Sequence, residues 1–304
     1  MNNSVLLTEI ICYLNNNLLD LYGDPRGIEI RHLKEPRCVD EFTLDWVSHK
    51  REGKQQIAEQ SQAKAIISDS SVEYSPKLRN QKKVLISVEN PRLAIAKIGN
   101  HFFKPELDPQ IHPTAIIHPD AKIGNKVFIG PYVSIGACSI GDYVQIFEKT
   151  VIGDKVTIKD HVIIHSNAII GTDGLGCERE RDGTLIKFPH FGGVILEEWA
   201  EIGAQTVIAR GALSDTIIGR GSKFNIGCFV AHNVIIGKNV WISPKVNIAG
   251  SVKIGDNTTI FSGAIIREQR IIGNNVTIGM GAVVINNIPD FETWIGNPAH
   301  KIEK

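Results

Sequence analysis

Residues 218–289 read, in blocks of six, IGRGSK, FNIGCF, VAHNVI, IGKNVW, ISPKVN, IAGSVK, IGDNTT, IFSGAI, IREQRI, IGNNVT, IGMGAV and VINNIP. All twelve blocks open on an apolar residue, from Ile218, Phe224 and Val230 to Ile278 and Val284. Glycine often follows this anchor, and a small or β-branched residue often stands four places after it. A period of six is neither the 3.6 of an amphipathic helix nor the two of a plain strand. It fits a short strand plus a turn, so that three blocks close a triangular coil of 18 residues with the anchors stacked inside. Glycine beside the anchor is expected to serve a strained corner. The fold this predicts is mainly β, a hexapeptide parallel β-helix.

The same ruler runs backwards through the chain. Anchors stand at Ile111, Ile117, Ile123, Ile129 and Ile135, then after a five-residue step at Ile140, Ile146, Ile152, Ile158, Ile164 and Ile170. The phase is lost over 171–193, returns at Leu196, Ile202 and Ile208, and takes a ten-residue step to Ile218. Composition marks where the repeat begins. Residues 1–110 hold 10 Ile, 12 Leu and 4 Gly, whereas 111–304 hold 36 Ile, 4 Leu and 24 Gly. An isoleucine-rich, leucine-poor stretch asks for β-structure. The expected domains are a small α/β unit over 1–105, the β-helix over 106–287 with an inserted loop at 171–193, and a closing segment over 288–304. The repeat resembles the left-handed β-helix of bacterial hexapeptide acyltransferases, an exception to the usual right-handed crossover. Ice-binding solenoids need flat threonine ladders, which are absent. Metalloenzymes of this fold need three converging histidines; His161 and His165 have no third partner and read as turn residues, so no metal is expected.

Charge and composition exclude other classes. Lys and Arg number 33 and Asp and Glu 33, so no basic excess draws the 304-residue chain to nucleic acid. No run of 18 apolar residues offers a membrane span. The start, MNNSVLLTEI, lacks the basic region and cleavage site of a secretory signal, which points to a soluble cytoplasmic protein. Five scattered cysteines without a C-x-x-C pair read as reduced structural thiols.

The interruptions carry the functional reading, because insertions in a solenoid gather on its working face. The stretch GTDGLG…KFPHFGGVILEEWAEIGAQTVIARGALSDTIIG…VAHNVIIG resembles the bacterial lipid A enzyme family UDP-3-O-(3-hydroxyacyl)glucosamine N-acyltransferase. The resemblance implies transfer of an acyl group from a thioester to the amine of a nucleotide-linked amino sugar. It implies His232 of the A-H-N motif as general base, with Asn233 completing the motif, and Gly250 N–H as oxyanion donor. Asn225 stands where the family has its histidine-orienting Asp, and Gln269 where it has a further histidine. The chemistry is consistent: neutral imidazole can take the amine's proton near pH 7, and the thioester oxygen needs a donor as it becomes an oxyanion. His232 plus 18 is Gly250, so both belong on one edge of the prism. Loop 171–193 is expected to wall the site of a neighbouring subunit and to bring Asp173, Phe188 and His190 to the substrate.

In the N-terminal unit, helical spacing over SVLLTEIICYLNNNL, a strand at FTLDWV, a helix at KQQIAEQ, strands at AKAIIS and KVLISV, and a helix opened by Asn90-Pro91 make an α/β domain. The order of WVSHKR, AKAIIS and VENPRLAIAKI resembles the same family's uridine-binding domain. Asp45 and Arg51 replace its two stacking aromatics and Ser48 its Asn, which leaves Trp46, Ser48, Lys50 and Arg51 as the nucleotide-binding candidates. The closing IPDFETWIGNPAHKIEK resembles the tail of coenzyme-A-dependent sugar acetyltransferases. It implies Trp294, Asn297, Pro298 and Lys301 near a coenzyme A donor. The favoured reading is thus a coenzyme-A-dependent nucleotide-sugar N-acyltransferase. It works as a homotrimer with shared sites and no prosthetic group. The alternatives are the lipid A enzyme itself, served by acyl carrier protein, and a non-catalytic trimeric binding scaffold.

Overall fold

The computed structural model describes residues 4–105 and 107–302. The chain divides into two compact units, Met1–Glu106 and Leu107–Lys304.

The N-terminal unit is a four-stranded sheet in the order Leu18–Tyr22, Val84–Val88, Ala65–Ser68, Leu44–Trp46. The first pair is antiparallel and the rest are parallel. Ala65–Ser68 and Val84–Val88 are buried throughout, as central parallel strands must be. Helix Pro91–Ile98 starts where expected, with the Asn90 side chain accepting from Leu93 N–H at 3.1 Å. Helical spacing over 4–18 overreaches. The helix is Leu7–Leu14, a turn at Asn15–Asn17 ends it, and the apolar residues after the turn pair as an edge strand with Val84–Val88. Three asparagines favour turns over a further helical turn.

The second unit is a left-handed parallel β-helix with three faces. Among the described residues, face I has eleven strands, face II nine and face III eight. Most strands are two residues long, the anchor and the residue before it, and each pairs in register with its equivalents in adjacent coils. On face II, for example, Val230 pairs with Ile208 and Ile248. The anchor points inward, as does the residue four places on: Val234, Val240, Val246 and Val252 are all buried. These two inward positions per block form one continuous core along the solenoid. Burying each such side chain contributes about 1.5–3 kcal/mol.

The corner corrects the expected role of glycine. The left-handed residue stands three places after the anchor, not one. Lys126, Tyr132, Lys155, His161, Asn233, Asn239, Ser251 and Asn275 hold it with φ of 53–60°. Such a conformation costs about 1–2 kcal/mol for most side chains. The cost is offset because the turn N–H reaches a carbonyl one coil back, as from Asn239 to Arg220 O at 2.9 Å. Glycine directly after the anchor answers a different need. A Cβ on Gly237 would lie 2.8 Å from the Asp256 backbone nitrogen, so stacked coils leave no room for one.

The closing segment turns back on the last coil. Strand Thr293–Ile295 joins face I and pairs antiparallel with His300–Lys301. Trp294 packs on the solenoid core; its indole N–H donates to Glu292 at 2.7 Å, and Lys301 pairs with the same carboxylate at 2.8 Å. Trp294 and Lys301 therefore help close the end of the prism.

Candidate active site at the interrupted corner

Face II ends coil by coil at Ile170, Ile208, Val230, Ile248 and Ile266, paired in register. Both sequence interruptions leave the solenoid at this corner, one after Ile170 and the other after Ile208. They brace each other. Phe191 N–H donates to Ala212 O at 2.6 Å and Gly193 N–H to the Asp215 carboxylate at 2.7 Å. The next coil carries His232 at the same corner, and the one after it Gly250.

His232 is half-buried, with Nδ1 3.1 Å from Asn233 Oδ1. That oxygen also accepts from Ala212 N–H at 3.0 Å. The Asn233 amide nitrogen donates to the Ser214 carbonyl at 3.0 Å and hydroxyl at 2.8 Å. These partners permit one orientation of the amide, with oxygen toward the imidazole. Nδ1 of His232 must then carry the hydrogen, which leaves a lone pair on Nε2. The tautomer needed by a general base is thus set by a neutral amide clamped to the second interruption.

Gly250 packs directly against this ring. A Cβ there would come 2.7 Å from Cε1 and 2.8 Å from Nε2 of His232. Gly250 N–H donates to no group among the described residues, while its carbonyl accepts from Gln269 N–H at 2.9 Å. A base and an unengaged backbone donor therefore sit side by side, as their spacing of one coil requires.

The inserted loop is a hairpin, Cys177–Arg179 against Leu185–Lys187. Its base packs on His232 of the same chain, because the loop leaves from the corner that carries this histidine. The His190 and His232 rings meet edge to face, 5.7 Å apart at 76°. Asp173 pairs with Lys187 at 2.9 Å, and that contact holds its carboxyl below the ordinary range. Phe188 is partly exposed and offers its carbonyl to His190 Nδ1 at 3.0 Å.

Asn225 is not brought to His232. It belongs to the corner after face I, seven residues and one face earlier, and its side-chain oxygen accepts from Ile226 N–H at 2.8 Å. There it lines a cavity of about 550 Å³ with His165, Glu201, Lys223 and Trp241. Glu201 bridges His165 Nε2 at 2.9 Å and Lys223 at 3.2 Å, and the His165 hydrogen bond takes its carboxyl down to about 2. Sequence reading took His165 for a plain turn residue. The available signal was a histidine in the place beside the anchor that glycine often holds. His161 is stacked between Tyr143 and Trp199, with ring centroids 4.8 and 3.9 Å away. No cluster of metal-ligating side chains is found among the described residues. In the N-terminal unit, Trp46 is half-buried against the core instead of standing free for stacking. Ser48, Lys50 and Arg51 form the turn after it, Lys50 and Arg51 exposed.

Comparison with known proteins sets this geometry in context. The bacterial transferase hexapeptide model (six repeats) matches residues 233–268 and 251–286, and the GMPPB C-terminal domain model matches 108–174. The chain carries the bacterial transferase hexapeptide repeat. A UDP-3-O-acylglucosamine N-acyltransferase of Polynucleobacter asymbioticus is 31% identical over 210 residues, covering 60% of this chain and 59% of that one. UDP-3-O-acylglucosamine N-acyltransferase 1 of Legionella pneumophila (strain Paris) is 36% identical over 203 residues, covering 60% and 56%. The chain thus spans less than two thirds of the length of these relatives. Among solved structures, LpxA of Acinetobacter baumannii has 26% identity and a TM-score of 0.58, covering 63% of this chain and 73% of that chain. The UDP-N-acetylglucosamine O-acyltransferase of Moraxella catarrhalis, 23% identical with a TM-score of 0.59 and the same coverage, shares the fold. No helix among the described residues is long and apolar enough to cross a membrane.

Proposed function

We propose that this protein transfers an acyl group from a thioester to the amine of a nucleotide-linked amino sugar at the His232 corner. The observation that carries the proposal is the pairing of His232, whose Nδ1 is engaged by Asn233 so that the neutral ring keeps its lone pair on Nε2, with the unengaged N–H of Gly250. In the reaction the amine nitrogen attacks the thioester carbonyl carbon, and Nε2 takes an amine proton as the C–N bond forms. The carbonyl oxygen becomes an oxyanion facing Gly250 N–H. Collapse breaks the C–S bond, and the imidazolium returns its proton to the thiolate.

The names of the relatives favour the lipid A type of acceptor over a coenzyme-A-dependent sugar acetylation, so UDP-3-O-acylglucosamine ranks first. Engagement of Trp294 and Lys301 with Glu292 in closing the solenoid supports the same shift. Asn297 and Pro298 then belong to that closing turn. Trimer formation is part of the proposal: outward positions of face II expose Ile116, Val151, Ile169, Phe229 and Ile265, interrupted by Ser134 and Asn247. The test is release of free thiol from hydroxyacyl carrier protein and from acyl-coenzyme A, each with UDP-3-O-acylglucosamine as acceptor. Turnover with the carrier protein is expected. Turnover with coenzyme A alone would restore the acetyltransferase reading, and inactivity with both would leave the binding scaffold.

A further inference from the structure

His190 has one nitrogen that the fold leaves unused. The ring is about nine-tenths buried, its Nε2 is inaccessible, and that nitrogen has no hydrogen-bond partner. Nδ1 is 3.0 Å from the Phe188 carbonyl, which can only accept, so Nδ1 carries the hydrogen and Nε2 the lone pair. Buried polar atoms without partners are rare, and one beside a reactive group asks for a ligand. Gly174 lies against this nitrogen: a Cβ there would lie 2.7 Å from His190 Nε2 and 3.5 Å from His232 Cδ2. Gly174 belongs to the segment Gly171-Thr172-Asp173-Gly174-Leu175-Gly176, which has no side chain at three of its six places.

Two imidazoles at this corner thus hold the same tautomer, each with hydrogen on Nδ1 and a lone pair on Nε2. We infer that His190 selects an amine over a hydroxyl as the group to be acylated. This inference rests on the acyl-transfer reading above. An attacking amine has two hydrogens, one for each Nε2, and its own lone pair then faces the thioester carbon. A hydroxyl has one. Delivered to His232, it leaves His190 Nε2 buried and unpaired, and a site built to accept a hydrogen bond discriminates against a group that cannot donate it. His232 takes the proton, and His190 receives a hydrogen bond without being protonated. Entry of the amine requires the Gly174 backbone to withdraw from His190 Nε2.

The test compares UDP-3-O-acylglucosamine with the otherwise identical UDP-3-O-acylglucose in the full-length protein. His190→Phe keeps a ring of similar size and removes the acceptor. It is expected to lower kcat/KM for the amine by about tenfold or more, with little change for the hydroxyl, so that the preference shrinks. His190→Gln restores an acceptor oxygen and should recover part of the preference. An unchanged amine-to-hydroxyl ratio in His190→Phe, with wild-type melting temperature, overturns the inference and leaves the acyl-transfer reading intact. Should the wild type acylate neither acceptor, that reading fails. Ring ¹⁵N NMR then decides separately: a His190 Nε2 resonance of the unprotonated type, shifted by UDP-glucosamine and not by UDP-glucose, supports amine recognition. Equal response to both, or a protonated Nε2, overturns it.

Discussion

Two corners of the same prism put one repeat position to different use. After face III, the residue two places past the anchor is an acceptor for the adjacent coil toward both ends of the solenoid, whereas Glu198, Arg220 and Lys238 hold that place in between and accept no such bond among the described residues. Asp142 Oδ1 takes Asn125 N–H at 2.7 Å, Asp256 Oδ1 takes Lys238 N–H at 2.7 Å, and Asn274 and Asp290 continue the ladder at 2.8 Å. The corner after face II begins in the same way, with Asp154 on Ala137 N–H at 2.7 Å. Further along, the same position is held by Arg210, His232 and Gly250. No side-chain oxygen caps the N–H groups of His232 and Gly250, and an imidazole fills the space. Where such a side-chain oxygen is present, it takes up a backbone N–H of the adjacent coil; at His232 and Gly250 it is absent, and an imidazole stands beside an unengaged N–H.

The largest effect expected from breaking this contrast is at His232. His232→Ala should lower turnover by about two orders of magnitude or more, the usual share of general-base catalysis, with little change in melting temperature. Next come two glycines, Gly250 two places past its anchor and Gly237 directly after its own. Gly250→Ala places a methyl against the imidazole and should cut the rate about tenfold or more while stability holds. Gly237→Ala meets backbone instead of a ring and should cost about 1–3 kcal/mol of stability, seen in denaturant melts, with the rate of the folded fraction preserved. If both variants lose the same property, the two corners do not differ as described.

A subtler change exchanges the clamp. Asn233→Asp puts a carboxylate on His232 Nδ1, favours the imidazolium, and should move the acid limb of the pH–rate profile to higher pH. Stability should fall modestly, because the donation to Ser214 is lost. The smallest effect is at the cavity below face I. Glu201 has its carboxyl lowered from 4.5 to about 2, so its contribution to stability is complete above about pH 4.5 and is lost as pH falls toward 2. Glu201→Gln should flatten the decline in melting temperature across that interval and leave pH 7 activity near wild type.

Much of this was readable in the chain. The six-residue period located the anchors, the inward place four residues on, and the registration of His232 with Gly250 one coil later. What could not be read came from contacts between coils. Glycine beside the anchor is demanded by the backbone of the next coil, so its reason is invisible within one block. The contact of loop 171–193 with His232 of its own chain is not legible, because sequence gives the loop's length and not the corner from which it departs. Asn225 and Asn233 are equally good orienting groups on paper; a difference of eight residues puts them at different corners, and only Asn233 meets Ala212 and Ser214.

By itself, then, the sequence determined the solenoid, because a repeated short-range pattern of anchor, turn and inward residue dictates the same local geometry each time it occurs. It also determined which histidine and glycine share an edge, since that follows from counting. The tertiary structure alone decided which nitrogen of His232 carries hydrogen and that a second imidazole lies beside it with a free lone pair. Those properties depend on hydrogen bonds between residues 19–21 apart and on a ring contact between residues 42 apart, which only the stacking of one coil on another brings into being.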